Sequence, residues 1–180
     1  VRAARGRLRF NFRGKSGQAR ELVLDDRRLT AIVRRVQQLP GQRLFQYLDD
    51  AGVSHAVDSG QVNAYLRTIC GDDFSAKDFR TWGGTVHAAR VLAMTPLPER
   101  GGERAFRRAL NAAVEEVAAV LGNTPAVCRA SYIHPHMFEG WREGSLQRVF
   151  TRPLRGPREL ERRTLRYLQR ASRRVRRRGD

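Results

Sequence analysis

The chain has 180 residues, 41% of them hydrophobic, and a formal net charge of +17. That length and apolar content allow a buried core without staples and exclude wholesale disorder. No apolar run is long enough to span a bilayer, and Cys70 and Cys128 show neither a disulfide framework nor metal-ligand spacing. The charge points to a polyanionic partner, nucleic acid before others. Of the 35 basic residues all but Lys15 and Lys77 are Arg, a bias that genome composition can produce, but the 18 acidic residues leave the imbalance standing. No signal peptide is visible, so a reducing cytoplasmic, nucleoid-associated location is expected. Val1 in place of a starting Met reads as a processed chain or a fragment.

In chain order, Leu8, Phe10 and Phe12 alternate with Arg7, Arg9, Asn11 and Arg13, the period of a half-buried strand. Gly14-Lys15-Ser16-Gly17 breaks it, and 21–24 returns, giving a β-hairpin over 7–24 with Lys15 near its tip. Asp25 or Asp26 caps a helix through Leu29, Ile32, Val33 and Val36, ended by Pro40-Gly41. The short apolar piece 44–48 fits either type. Ser59 caps a helix through Val62, Tyr65, Leu66 and Ile69 that Gly71 closes.

Ser75-Ala76-Lys77-Asp78 has the capping-box pattern and opens a helix to about Met94. Gly83-Gly84 inside it cost roughly 1 kcal/mol each against Ala, which implies a close-packed neighbour or an irregular turn. The next helix carries Phe106, Leu110, Val114, Val117 and Leu121 and stops at Gly122. Thr124-Pro125 starts a short helix, Pro135 opens one containing Phe138 and Trp141, and a basic helix or tail covers 157–180.

Three segments carry the chemistry: Phe12-Arg13-Gly14-Lys15-Ser16-Gly17, Lys77-Asp78-Phe79-Arg80-Thr81-Trp82, and Leu121-Gly122-Asn123-Thr124-Pro125 running to Tyr132. A Lys in a turn or an Arg on a helix is, alone, a solvated charge. Together, in this order and with Asn123 nine residues before Tyr132, they resemble bacterial and poxvirus-type type IB DNA topoisomerases. Val62-Asn63-Ala64-Tyr65-Leu66 and Phe45-Gln46-Tyr47 are similar to that family too, and the likeness runs from about Arg7 to about Trp141.

The resemblance implies a role for each residue. Tyr132 resembles the nucleophile that forms a 3′-phosphotyrosyl bond, and Arg80 the arginine that grips the scissile phosphate. Lys15 resembles the general acid for the leaving 5′ oxygen. Asn123 stands where relatives have His or Asn donating to a phosphate oxygen. Lys77 and Asp78 support the site without acting in it. A phenol is a poor nucleophile at neutral pH, so such a site needs preorganised cations around the phosphate, and no metal or other cofactor is expected. His134 and His136 are read as phosphate contacts or surface groups, His87 as packing or solvated, Cys128 as a packing residue and Trp82 as core.

The implied fold is mainly α: a helical catalytic core of the tyrosine recombinase/type IB topoisomerase kind with a small N-terminal β-hairpin. One catalytic domain over 1–180 is expected, with the hairpin at 7–24, the helical core at 25–145 and the basic segment at 157–180. The implied function is relaxation of supercoiled duplex DNA by a monomer, without ATP and without a membrane. The alternatives are a tyrosine recombinase or integrase catalytic domain, or a non-catalytic DNA-binding relative. Lys77-Asp78-Phe79-Arg80 departs from the His-x-x-Arg common in recombinases. The family's further, upstream arginine and its N-terminal clamp domain have no counterpart in the sequence. The isolated chain is therefore expected to be impaired.

Overall fold

The computed structural model describes residues 1–14, 17, 19–41 and 43–179. They form two compact units, Val1–Phe74 and Ser75–Asp180. The fold is mainly α with a small antiparallel sheet near the N-terminus, as expected.

In the first unit, the alternating segment is strand β2 (Arg7–Arg13), paired antiparallel with β3 (Ala19–Asp25) so that Leu8 faces Leu24 and Phe10 faces Leu22. The hairpin is extended to three strands by β1 (Arg2–Ala4), which pairs with the other edge of β2. The β1–β2 turn is Arg5-Gly6, with φ of +48° and +81°, the left-handed pair that a tight two-residue hairpin needs. Helix α1 (Arg27–Val36) starts at Asp26, whose carboxylate accepts from Leu29 N at 2.9 Å, and buries Thr30 and Val33. Arg34 Nε donates to Ala3 O and Gln37 Nε2 to Val1 O, bracing β1.

The undecided piece at 44–48 is a strand: β4 (Gln46–Leu48) pairs with β5 (Ser54–Ala56). Helix α2 (Ser59–Cys70) is capped by Asp58 rather than Ser59, because Asp58 and Gln61 close a reciprocal box one residue earlier. None of its residues is buried, and Val62, Tyr65 and Ile69 are exposed.

The second unit is a helical bundle. Helix α3 (Ala76–Met94) packs against α4 (Gly102–Leu121), α6 (His136–Arg142), α7 (Ser145–Val149) and α8 (Pro157–Gly179), while the short α5 (Pro125–Ser131) packs on α4. The core joins Ala88, Leu92, Val117, Cys128, Met137, Trp141 and Leu146. Trp141 lies edge-on to Phe106 and donates its indole N–H to Thr95 O at 2.9 Å. Gly140 admits α8: Tyr167 Oη would lie 1.6 Å from a Cβ at residue 140, and it is held by Ser145 Oγ at 3.1 Å. The five-residue α7 has no forerunner in the sequence pattern.

Candidate active site

The site grows from the first two turns of α3. Asp78 reaches back to Ser75, accepting from its backbone N at 2.9 Å and its hydroxyl at 2.6 Å. The Ser75 hydroxyl and the backbone N–H bonds hold the Asp78 carboxyl below the usual carboxylate range. This box fixes the helix start, and Arg80 projects one turn further on. Thr81 Oγ1 donates to Lys77 O at 3.0 Å. Asp78 thus fixes the helix end on which Arg80 stands.

Helix α4 delivers the second part. It ends at Gly122 in the left-handed conformation (φ +65°), which turns the chain toward Asn123. Arg80 Nη2 donates to Leu121 O, the last helical carbonyl, at 2.5 Å. This contact links α3 to the Leu121-Gly122-Asn123 corner. The Asn123 Nδ2 is buried and has no hydrogen-bond partner among the described residues. A buried amide donor left unmet costs about 1–3 kcal/mol.

Helix α5 delivers the third part. Thr124 Oγ1 accepts from Val127 N, Pro125 takes the first helical position, and Tyr132 is the C-cap, its N–H donating to Cys128 O at 3.0 Å. The Arg80 guanidinium carbon lies 5.1 Å from the centroid of the Tyr132 ring, within cation–π range. Tyr132 is half-buried.

The backbone of the 131–134 segment is seated directly on α3. A Cβ at Gly84 would lie 2.5 Å from Tyr132 O and 3.0 Å from Leu121 Cδ1, so a glycine is required for this approach. Thr85 Oγ1 donates to Tyr132 O at 3.4 Å and accepts from His134 N at 3.1 Å. Of the two helical glycines, Gly84 has the close neighbour that the pair implied, and Gly83 faces open space. Thr85 carried no signal in the sequence; its role appears only once Tyr132 is folded against it.

Burial pushes the Cys128 thiol up, against a smaller opposing effect of Arg80, which keeps it an inert packing group. His134 Nδ1 accepts from His136 N at 3.2 Å, and burial, then the nearby His136, lower its pKa despite Glu139. His136 Nδ1 meets Glu139 Oε2 at 2.7 Å. His87 is likewise lowered by burial and by Arg90, against Glu116. Trp82 is half-buried rather than core. Among the described residues no group of three or more His, Cys, Asp or Glu side chains is placed to hold a metal ion. Lys15 lies outside the described residues. Arg80, Asn123 and Tyr132, 52 residues apart at their extremes, are therefore brought to one corner of the second unit.

A helical core thus brings an arginine, an unmet amide donor and a tyrosine to one corner, the three residues that the sequence motifs singled out there. The family model for the catalytic core of eukaryotic DNA topoisomerase I matches residues 2–146, and the chain belongs to that family. It is similar to the DNA topoisomerase 1B of Acanthamoeba polyphaga mimivirus, with 28% identity over 144 residues. That alignment takes in 77% of this chain and 43% of the viral protein, so the chain spans less than half the length of this relative.

Proposed function

We propose that this chain carries the catalytic centre of a type IB DNA topoisomerase, which relaxes supercoiled duplex DNA by transient cleavage of one strand. The observation that carries the reading is the convergence of Arg80, the unpartnered Asn123 amide and Tyr132.

In this reading the Tyr132 hydroxyl gives its proton to water and attacks a backbone phosphorus. The bond from phosphorus to the 5′ oxygen breaks, and a 3′-phosphotyrosyl bond forms. Negative charge concentrates on the non-bridging oxygens in the transition state, where preorganised donors are most effective. Arg80 has five N–H groups, and only one is committed to Leu121 O. The others can grip the phosphate in the forked geometry that suits guanidinium. Asn123 Nδ2 supplies a neutral donor that cannot itself act as an acid.

Lys15, by its resemblance, protonates the departing 5′ oxygen. Rotation of the freed strand relaxes the duplex, and the 5′ hydroxyl then attacks the phosphotyrosine. The covalent bond conserves the energy of the broken one, so resealing needs no ATP. The net charge of +17 suits binding through phosphates, which makes affinity steeply salt-dependent.

The test is relaxation of a supercoiled plasmid without ATP or divalent metal, followed by gel separation of topoisomers. Slow, stepwise loss of supercoils is expected. Exchange of strands between two sites, with no relaxation of single-site plasmids, would assign the chain to the recombinases instead.

A further inference from the structure

The segment that follows Tyr132 is pinned from both sides. Helix α6 begins directly after Pro135, and the first N–H groups of a helix have no partner within it. Proline has no side-chain acceptor to offer them. His134 supplies what Pro135 lacks. Its ring Nδ1 accepts from His136 N at 3.2 Å, and its carbonyl oxygen accepts from Met137 N at 2.9 Å. Its own N–H donates to Thr85 Oγ1 on α3 at 3.1 Å, and the same hydroxyl donates to Tyr132 O at 3.4 Å. The N–H, the C=O and the ring of His134 are therefore all committed, to α3 on one side and to α6 on the other. The flanking Ile133 and Met137 are buried.

An Nδ1 that accepts must keep its lone pair, so the ring is neutral and carries its proton on Nε2. A proton added at Nδ1 would face the His136 N–H. On α6 the His136 ring lies 4.9 Å away and is itself engaged by Glu139 at 2.7 Å. From α3 come the uncharged Thr85 and, over the Tyr132 ring, Arg80. On α5 Arg129 is stacked over Phe138. Glu143, Arg148, Arg166 and Arg170 line a groove with His136 and Glu139, and His134 is not among its lining residues. Burial, then His136, hold the His134 pKa below its ordinary value, against Glu139.

We propose that His134 is a positioning residue for Tyr132. Its neutral ring holds the start of α6, its N–H holds Thr85, and together they fix the backbone from which the phenol projects. Protonation of the ring removes the Nδ1 acceptor and frees that backbone. The effect on cleavage rests on the reading of Tyr132 as the nucleophile, while the coupling of the His134 ring to Tyr132 does not.

The test compares the full chain with H134A and H134N in single-turnover cleavage of labelled duplex at saturating DNA, from about pH 5.5 to about pH 8. Asn before Pro offers a side-chain oxygen to the N–H two residues on and gains no proton. H134A should cleave about 10- to 10²-fold more slowly at every pH, the scale of a displaced reacting group, with duplex affinity kept. H134N should restore most of that rate. Below about pH 6.5 the native rate should fall more steeply than that of H134N. A second readout needs no DNA and uses ring-¹³C tyrosine. The Tyr132 resonance, assigned by its absence in Tyr132→Phe, should move with the His134 titration in the native chain and stay still in H134N. Should H134A fail to fold, the H134N profile and the resonance decide alone. Native-rate cleavage by H134A would overturn the inference, as would native and H134N profiles of the same shape or a Tyr132 resonance indifferent to His134. A coupled resonance in a protein that forms no tyrosyl adduct would leave the positioning standing and remove the topoisomerase reading. An adduct whose rate is indifferent to residue 134 would do the reverse.

Discussion

Gly84 and Tyr132 are in backbone contact: a methyl group at position 84 would sit 2.5 Å from the Tyr132 carbonyl oxygen and 3.3 Å from its Cβ. The proposed nucleophile is therefore positioned by a missing side chain on the same helix that carries Arg80. Thr85, the next residue, ties the same carbonyl and the His134 N–H.

The two neighbouring glycines should consequently respond in opposite ways. Gly83→Ala adds a methyl in open space, and the better helix propensity should raise stability by up to about 1 kcal/mol with activity kept. Gly84→Ala gains the same propensity but overpacks, a cost of about 1–3 kcal/mol. It also displaces Tyr132, and a misplacement on the order of 1 Å can cost about 10²-fold in rate. Thermal melts and single-turnover cleavage of the two variants check this. Equal cleavage rates would show that the Gly84 contact does not position the nucleophile.

Arg80 and Lys15 should be separable by the leaving group. A 5′-bridging phosphorothiolate releases a thiolate that needs no proton. Lys15→Ala should be slow on ordinary DNA and much faster on the sulfur substrate. Arg80→Ala should stay slow on both, by about 10²–10³-fold, because its task lies at the non-bridging oxygens. Equal rescue of the two variants would contradict this division of roles.

Acid should destabilise the second unit before its carboxylates titrate. His134 and His87 have pKa values lowered in the fold, chiefly by burial, so near pH 6.5 the unfolded chain binds more protons than the folded one. Their contribution is fully present above about pH 6.5 and is lost as pH falls from there toward the folded values. Melting temperature should therefore drop between about pH 7 and about pH 5.5. His134→Asn keeps an acceptor for the His136 N–H but cannot gain a proton, so its decline should be shallower. A decline as steep as that of the native chain would remove His134 from this account.

The sequence showed period and punctuation better than contact. The β2–β3 pairing follows from the alternation of Leu8, Phe10 and Phe12, and α3 from the Ser75–Asp78 box. Strand β1 stayed hidden because its Arg5-Gly6 turn lacks the usual Asn or Asp signal, although both residues adopt positive φ. Helix α7 is too short at five residues to display a period. The helical period of α2 was legible, but period reports a face and not what covers it, and Val62, Tyr65 and Ile69 are exposed. In the site, motif order singled out Arg80, Asn123 and Tyr132. The seat formed by Gly84 and Thr85 was legible only as an unexplained glycine pair, because the contact joins residues 47 or more apart.

The central claim is that Tyr132 attacks DNA. Protein incubated with end-labelled duplex, quenched with denaturant and digested should yield one peptide, containing Tyr132, bonded to the 3′ phosphate of the cleaved strand. Tyr132→Phe removes only the hydroxyl of a half-buried ring, so it should fold and bind duplex like the native chain while the adduct disappears. An adduct of native yield in the Phe variant, or one on another residue or on a 5′ end, would contradict the account.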